Sequence, residues 1–160
     1  MFESANVDFA DKPAGYAALE SQLGALLNGE RDFIANCANT AALLWLSLPD
    51  LNWAGFYRLV DGELVLGPFQ GKPACVRIQL GKGVCGTAAA TRQSVLVPDV
   101  RQFPGHIACD PDSRSEIVVP LIKDGRLLGV LDLDSPRLNR FEAADQAGLE
   151  MLAAVLVAAT

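Results

Sequence analysis

The chain has 160 residues, enough for one domain with a sizeable core, and its 51% hydrophobic content argues against disorder. Its net charge is −6 and its thirteen Lys and Arg are scattered, so there is no basic stripe to meet nucleic-acid phosphates. No apolar run is long enough to span a bilayer, and the N-terminus lacks a basic region followed by an apolar one, which together point to the cytoplasm and no membrane contact.

Residues 1–12 read as a flexible arm at the start of a single domain spanning 1–160. Pro13 suits the first turn of a helix running to Leu27, with Tyr16, Leu19, Leu23 and Leu26 on one stripe and Asn28-Gly29 as its stop. A second helix is expected over 30–46, where Phe33, Ile34, Cys37, Leu44 and Trp45 recur at helical spacing. Cys37 on that stripe reads as a small buried hydrophobe. Pro49 ends the helix, and the aromatic-rich run 51–59 reads as a strand. Asp61-Gly62 signals a hairpin into a strand near 64–66, with 67–73 as a loop. From Pro73 to Gln79 the residues alternate, with Ala74, Val76 and Ile78 on one face and Cys75, Arg77 and Gln79 on the other.

The run GKGVCG (81–86) is a glycine-rich bend leading into a short helix over 84–91. It lacks the GK[ST] ending of a phosphate-cradling loop. This puts Cys85 near a helix N-terminus, where the dipole favours a thiolate; packing there is an equal reading. A short strand follows at 95–97. Residues 98–115 then form a long loop carrying His106 and Cys109, of the length that binding loops take. His106 there is either a favourable charge beside a thiolate or a plain surface residue.

Two strands, 116–122 and 126–134, are joined at Lys123-Asp124-Gly125. A two-residue loop would set Glu116 opposite Leu133. A three-residue loop with a left-handed Gly125 would set it opposite Asp132 and on one side with Asp134. The three-residue form is expected, because it groups three acids. Asp132 lies inside an apolar strand, where an unpaired carboxylate is expensive. The last helix is expected from 139 or 140 to 159, with Leu149, Leu152, Val155 and Leu156 inward. The order implies an α+β fold. Its central antiparallel sheet has the N- and C-terminal helices on one face, and on the other a ligand pocket under the short helix and long loop. Four cysteines without a CxxC and with one histidine disfavour zinc, so no metal is expected.

The element order resembles a GAF domain. The runs NWAGFY (52–57), GPFQGKPACVRI (67–78), GKGVCG (81–86), HIACD (106–110), SRSEIVVPL (113–121) and GVLDLDSP (129–136) resemble, more specifically, the free methionine-(R)-sulfoxide reductases. The cysteine spacing, ten residues from Cys75 to Cys85 and twenty-four on to Cys109, is similar too.

The resemblance implies that Cys109 attacks the sulfoxide sulfur, Cys75 resolves, and Cys85 is a third thiol. It also implies that Trp53 and Tyr57 line the methyl end of the pocket. Glu116, Asp132 and Asp134 then bind the substrate's polar groups and help protonate its oxygen. Such chemistry needs a thiolate, an acid and a second thiol, but no metal or organic cofactor. The implied partners are free methionine sulfoxide and, as reductant, thioredoxin. Apolar residues near the terminal helices are of the kind a homodimer covers. Cys75–Cys109 and Cys85–Cys109 both stay open as the disulfide, since connectivity does not follow from sequence. The alternative is a non-catalytic GAF module that binds a small molecule or senses redox state.

Overall fold

The computed structural model describes Phe2 and residues 4–160; Met1 and Glu3, part of the expected arm, lie outside the described residues. Its helices are α1 (Lys12–Leu26), α2 (Phe33–Ser47), α3 (Gly83–Thr91) and α4 (Ala143–Ala159). Its strands are β1 (Trp53–Val60), β2 (Glu63–Gly71), β3 (Arg77–Gln79), β4 (Val95–Val97), β5 (Ser115–Lys123) and β6 (Arg126–Ser135). The strands form one antiparallel sheet in the order β3-β2-β1-β6-β5-β4.

Strand alternation splits the core in two. Ala54, Phe56, Ile117, Val119, Leu131 and Leu133 pack on one face against α1, α2 and α4. Trp53, Tyr57, Val118 and Val130 pack on the other against α3. The expected division of helices and pocket between the two faces is what the structure has. The arm is anchored on the helical side: Val7 and Phe9 pack against that core, and Phe9 meets Tyr16 edge-on at 5.2 Å.

Several boundaries differ from the expected ones, for local reasons. Helix α2 starts at Phe33 because the Asp32 carboxylate accepts from the Ala35 amide, and Glu30 accepts from the amides of Arg31 and Asp32. Cys37 and Leu44 are buried as expected, but Ile34 and Trp45 face outward, and Asn36, Thr40, Ala41 and Leu43 complete the buried stripe. Strand β2 continues to Gly71 instead of ending at Leu66, and β3 spans only Arg77–Gln79. Val76, outside that short strand, is exposed. Helix α4 starts at Ala143, after a left-handed Asn139, with a reciprocal cap between Glu142 and Asp145.

Asp145 also ties α1 to α4. It is fully buried, and its carboxylate accepts from Lys12 Nζ (2.6 Å), Tyr16 Oη (2.9 Å), Arg140 Nη1 (3.2 Å) and the Glu142 amide (2.9 Å). Burial pushes its pKa up, but these donors outweigh burial and hold it below the ordinary carboxylate value. The stability it contributes is therefore complete above the unfolded value of about 4 and is lost as pH falls through the lower folded one. Asp145→Asn takes the buried anion from two partly buried cations, Lys12 and Arg140, of which Lys12 keeps Glu142. It is expected to cost about 3 kcal/mol, lowering Tm by about 6–12 °C in thermal unfolding at pH 7, with a smaller difference from wild type below pH 4.

The β5–β6 hairpin departs most from expectation. Lys123 pairs with Arg126, so the loop is the two residues Asp124 and Gly125, both left-handed, and not the three-residue form. By itself this register would put Glu116 on the wrong face. A bulge corrects it: Ile122 pairs with Leu127, but Leu121 pairs with Gly129, leaving Leu128 as the extra residue on β6. Beyond the bulge Glu116 lies opposite Asp134, and Val118 opposite Asp132. The three acids share a face as expected, through a different device. Gly129 permits it, since a Cβ there would lie 2.1 Å from the Tyr57 carbonyl oxygen.

Candidate active site

Sheet register builds the floor of the site. Trp53 of β1 lies opposite Asp134 of β6, which lies opposite Glu116 of β5. One row over, Gly55 lies opposite Asp132. Gly55 carries no side chain where Trp53 stacks on Phe69 (5.3 Å); a Cβ would meet Phe69 Cβ at 2.3 Å. Tyr57 stacks on Trp53 from the other side at 5.9 Å.

Above this floor, α3 and the 103–113 loop close a pocket with an empty volume of about 530 Å³ out to its mouth. Trp53, Tyr57, Cys85, Cys109, Glu116, Asp132 and Asp134 all line it. Cys75 reaches it through a disulfide to Cys109, with Cα atoms 5.8 Å apart. Of the two pairings left open by the residues, this is the one the fold forms; Cys37 and Cys85 are free and buried.

The electrostatics are those of an acidic pocket. Glu116, Asp132 and Asp134 are each pushed well above the ordinary carboxylate range, mainly by burial and then by one another. Burial thus exceeds the mutual repulsion expected from their clustering. Asp132 Oδ1 is buried with no hydrogen-bond partner. Such an atom is costly to leave unmatched, and it points to a cationic or donor group as the missing piece.

Cys85 is not the thiolate that a helix N-terminus suggests. Its sulfur is buried against Asp132 Oδ2 at 3.3 Å. Burial, Asp132 and Glu116 all push the thiol pKa up, overriding the dipole. The sulfur and one carboxylate oxygen each of Glu116 and Asp132 lie within 4.8 Å of one another, and burial raises the pKa of all three groups. His106 Nε2 is 3.5 Å from Glu116 Oε2, and burial lowers its pKa. A neutral imidazole supplies no charge to support a neighbouring thiolate.

The aromatic pair does more than line the pocket. Trp53 Nε1 donates to the Lys72 carbonyl (3.2 Å), and Tyr57 Oη donates to the Cys75 carbonyl (3.0 Å). Burial, then Asp132, raises the Tyr57 pKa, so the phenol stays protonated as that donor.

Sequence reasoning missed a polar network beside the disulfide. Asn52 Nδ2 donates to Asp110 Oδ2 (3.0 Å) and Ser113 Oγ (2.9 Å), and Lys72 Nζ reaches Asp110 Oδ1 (3.2 Å). The only signal was that these residues fall within the runs NWAGFY, GPFQGKPACVRI, HIACD and SRSEIVVPL.

Comparison with known proteins places these features in a family. The GAF domain model matches residues 37–159. The free methionine-R-sulfoxide reductase of Escherichia coli is 54% identical over 146 residues, covering 91% of this chain and 88% of that protein. That of Saccharomyces cerevisiae is 48% identical over 139 residues, covering 82% and 77%. The X-ray structure of free methionine-R-sulfoxide reductase from Neisseria meningitidis in complex with its substrate matches with a TM-score of 0.95 and 45% identity, covering 99% of this chain and 95% of that one.

Proposed function

We propose that this chain, which belongs to the GAF-domain family and within it to the free methionine-(R)-sulfoxide reductases, reduces free L-methionine-(R)-sulfoxide by cysteine chemistry. The observation that carries the reading is the Cys75–Cys109 disulfide beside a pocket floored by the buried Glu116 and Asp132 and the half-buried Asp134.

The Cys109 thiolate attacks the sulfoxide sulfur, and Glu116 gives its proton to the departing oxygen. In the adduct the protonated oxygen passes from the methionine sulfur to the Cys109 sulfur; the methionine S–O bond and the transient S–S bond break, methionine leaves reduced, and Cys109 is left oxidised as a sulfenic acid. Glu116 suits this role because burial keeps it protonated above the ordinary glutamate range. Asp132 and Asp134 take the substrate ammonium, whose positive charge lets them ionise on binding. A methionine inside a polypeptide has no ammonium, so the acids favour the free amino acid. Trp53 and Tyr57 flank the methyl end. Cys75 then displaces the hydroxyl from Cys109 and the disulfide closes. Thioredoxin in the cytoplasm reopens it. Exposed Ile34, Trp45 and Leu46 on α2 support a homodimer.

Cys85 keeps its proton on Asp132 and takes no part in the disulfide. Counting thiols tests this. Free L-methionine-(R)-sulfoxide is expected to remove two thiols per chain from reduced protein, leaving Cys37 and Cys85. Cys85→Ala is expected to lose the same two and to keep turnover within about tenfold of wild type, the cost of one hydrogen bond to a charged group. Loss of all turnover in Cys85→Ala would make Cys85 a redox thiol after all. Ligand binding by the wild type with no thiol loss would leave a sensing module as the better account.

A further inference from the structure

We infer that Lys72 and Asp110 are a positioning pair that holds the Cys75 segment against Cys109 while the disulfide is open, and so sets the rate of its closure. The inference rests on the roles just given to Cys109 and Cys75.

Both cysteines sit on irregular backbone. Cys75 lies between the end of β2 at Gly71 and the start of β3 at Arg77, and Cys109 lies in the loop before β5. Such segments are the ones with freedom to separate once their covalent link is broken. One side-chain tie besides the disulfide spans them. Lys72, three residues before Cys75, reaches Asp110 Oδ1 (3.2 Å) and Asp112 Oδ2 (2.5 Å). Asp110 directly follows Cys109.

The Asp110 carboxylate has further partners. The residue is buried, and its carboxylate also accepts from Asn52 Nδ2 (3.0 Å) and the Asp112 amide (2.9 Å). The Lys72 backbone is held in turn by Trp53 Nε1. The tie therefore joins a buried, hydrogen-bonded carboxylate on one cysteine's loop to a cation whose backbone is anchored beside the other cysteine.

In the closing step, Cys75 sulfur attacks the sulfur of the Cys109 sulfenic acid. The S–S bond forms, the S–O bond breaks, and the hydroxyl leaves with the thiol proton as water, with no external oxidant. The step is intramolecular, so its rate follows the effective concentration of Cys75 at Cys109. A tie that restricts separation raises that concentration. Lys72 is 58% exposed, so the same pair adds little to global stability, and its effect is on the rate.

The test is single-turnover rapid quench on the full chain, fully reduced, with free L-methionine-(R)-sulfoxide. Methionine release and closure of the Cys75–Cys109 disulfide are timed separately. In Lys72→Met the ratio of closure rate to release rate is expected to fall roughly tenfold, with sulfenic acid trapped by dimedone; Lys72→Arg is expected to recover most of the ratio. An unchanged ratio in Lys72→Met overturns the inference. The same closure is timed after forming the sulfenic acid with one equivalent of hydrogen peroxide. If methionine sulfoxide is not reduced but peroxide-driven closure still slows in Lys72→Met, the assigned reaction fails and the pair stands. If methionine is released and closure is equally fast in both proteins, the reaction stands and the pair fails.

Discussion

Cys109→Ser is expected to abolish reduction of free L-methionine-(R)-sulfoxide, while Cys75→Ser yields one methionine per chain and then stops. The difference follows from where each sulfur acts. Cys109 lines the pocket above the acids; Cys75 does not line it and reaches it only through the disulfide. A serine hydroxyl at 109 is too weak a nucleophile at neutral pH to take the place of a thiolate. Turnover should fall by at least ~10³-fold, a loss of the reacting group. Without Cys75 the first step remains intact, and the sulfenic acid waits on Cys109 with no partner. Cys85 is not expected to substitute, since it is buried and its thiol is hydrogen-bonded to Asp132. Quenched-flow counting of methionine, with mass spectrometry of the oxidised cysteine, checks both variants. Steady turnover by Cys75→Ser with thioredoxin would mean that another thiol resolves; turnover by Cys109→Ser would remove it as nucleophile.

The side-chain patterns made much of this molecule legible. Period-two alternation placed Asp132 and Asp134 on one face of β6, and helical spacing placed Leu19, Leu23, Leu149 and Leu152 in the core. The register of Glu116 was readable only as a consequence. Asp124-Gly125 specifies a two-residue turn, and the compensating bulge at Leu128 depends on Gly129 meeting the Tyr57 carbonyl on a strand seventy-two residues earlier. No local pattern encodes that contact. Cys85 failed for a related reason. Its place at a helix start is local and favours a thiolate, but what decides its protonation is burial beside Asp132, forty-seven residues away. The disulfide partner was likewise undecidable until the fold set Cys75 and Cys109 5.8 Å apart at their Cα atoms.

Asp132→Asn is expected to move activity and stability in opposite directions. Folding buries this carboxyl beside Glu116, which raises its pKa well above the ordinary value. The folded protein thus keeps a proton that the unfolded chain releases near pH 4. Stability falls as pH rises from there through the raised folded value. Asparagine carries no ionisable group and removes that loss. A gain of about 1 kcal/mol at pH 8 would raise Tm by about 2–4 °C, and the gain should shrink toward pH 4. Activity goes the other way, because the substrate ammonium loses a buried anionic partner. That loss is on the order of 10²–10³-fold in kcat/KM for free L-methionine-(R)-sulfoxide. It should be much smaller for the N-acetylated substrate, which has no ammonium to lose. Glu116→Gln separates the two jobs of the acids. It removes the proton donor, so kcat is expected to fall by roughly 10²–10⁴-fold for both substrates. Wild-type kcat should decline as pH rises through the raised Glu116 pKa, where the donor loses its proton, and this limb should vanish in Glu116→Gln. An Asp132→Asn protein that is less stable at pH 8, or that loses both substrates equally, would mean Asp132 is held in the fold by something other than the ammonium it is assigned to bind.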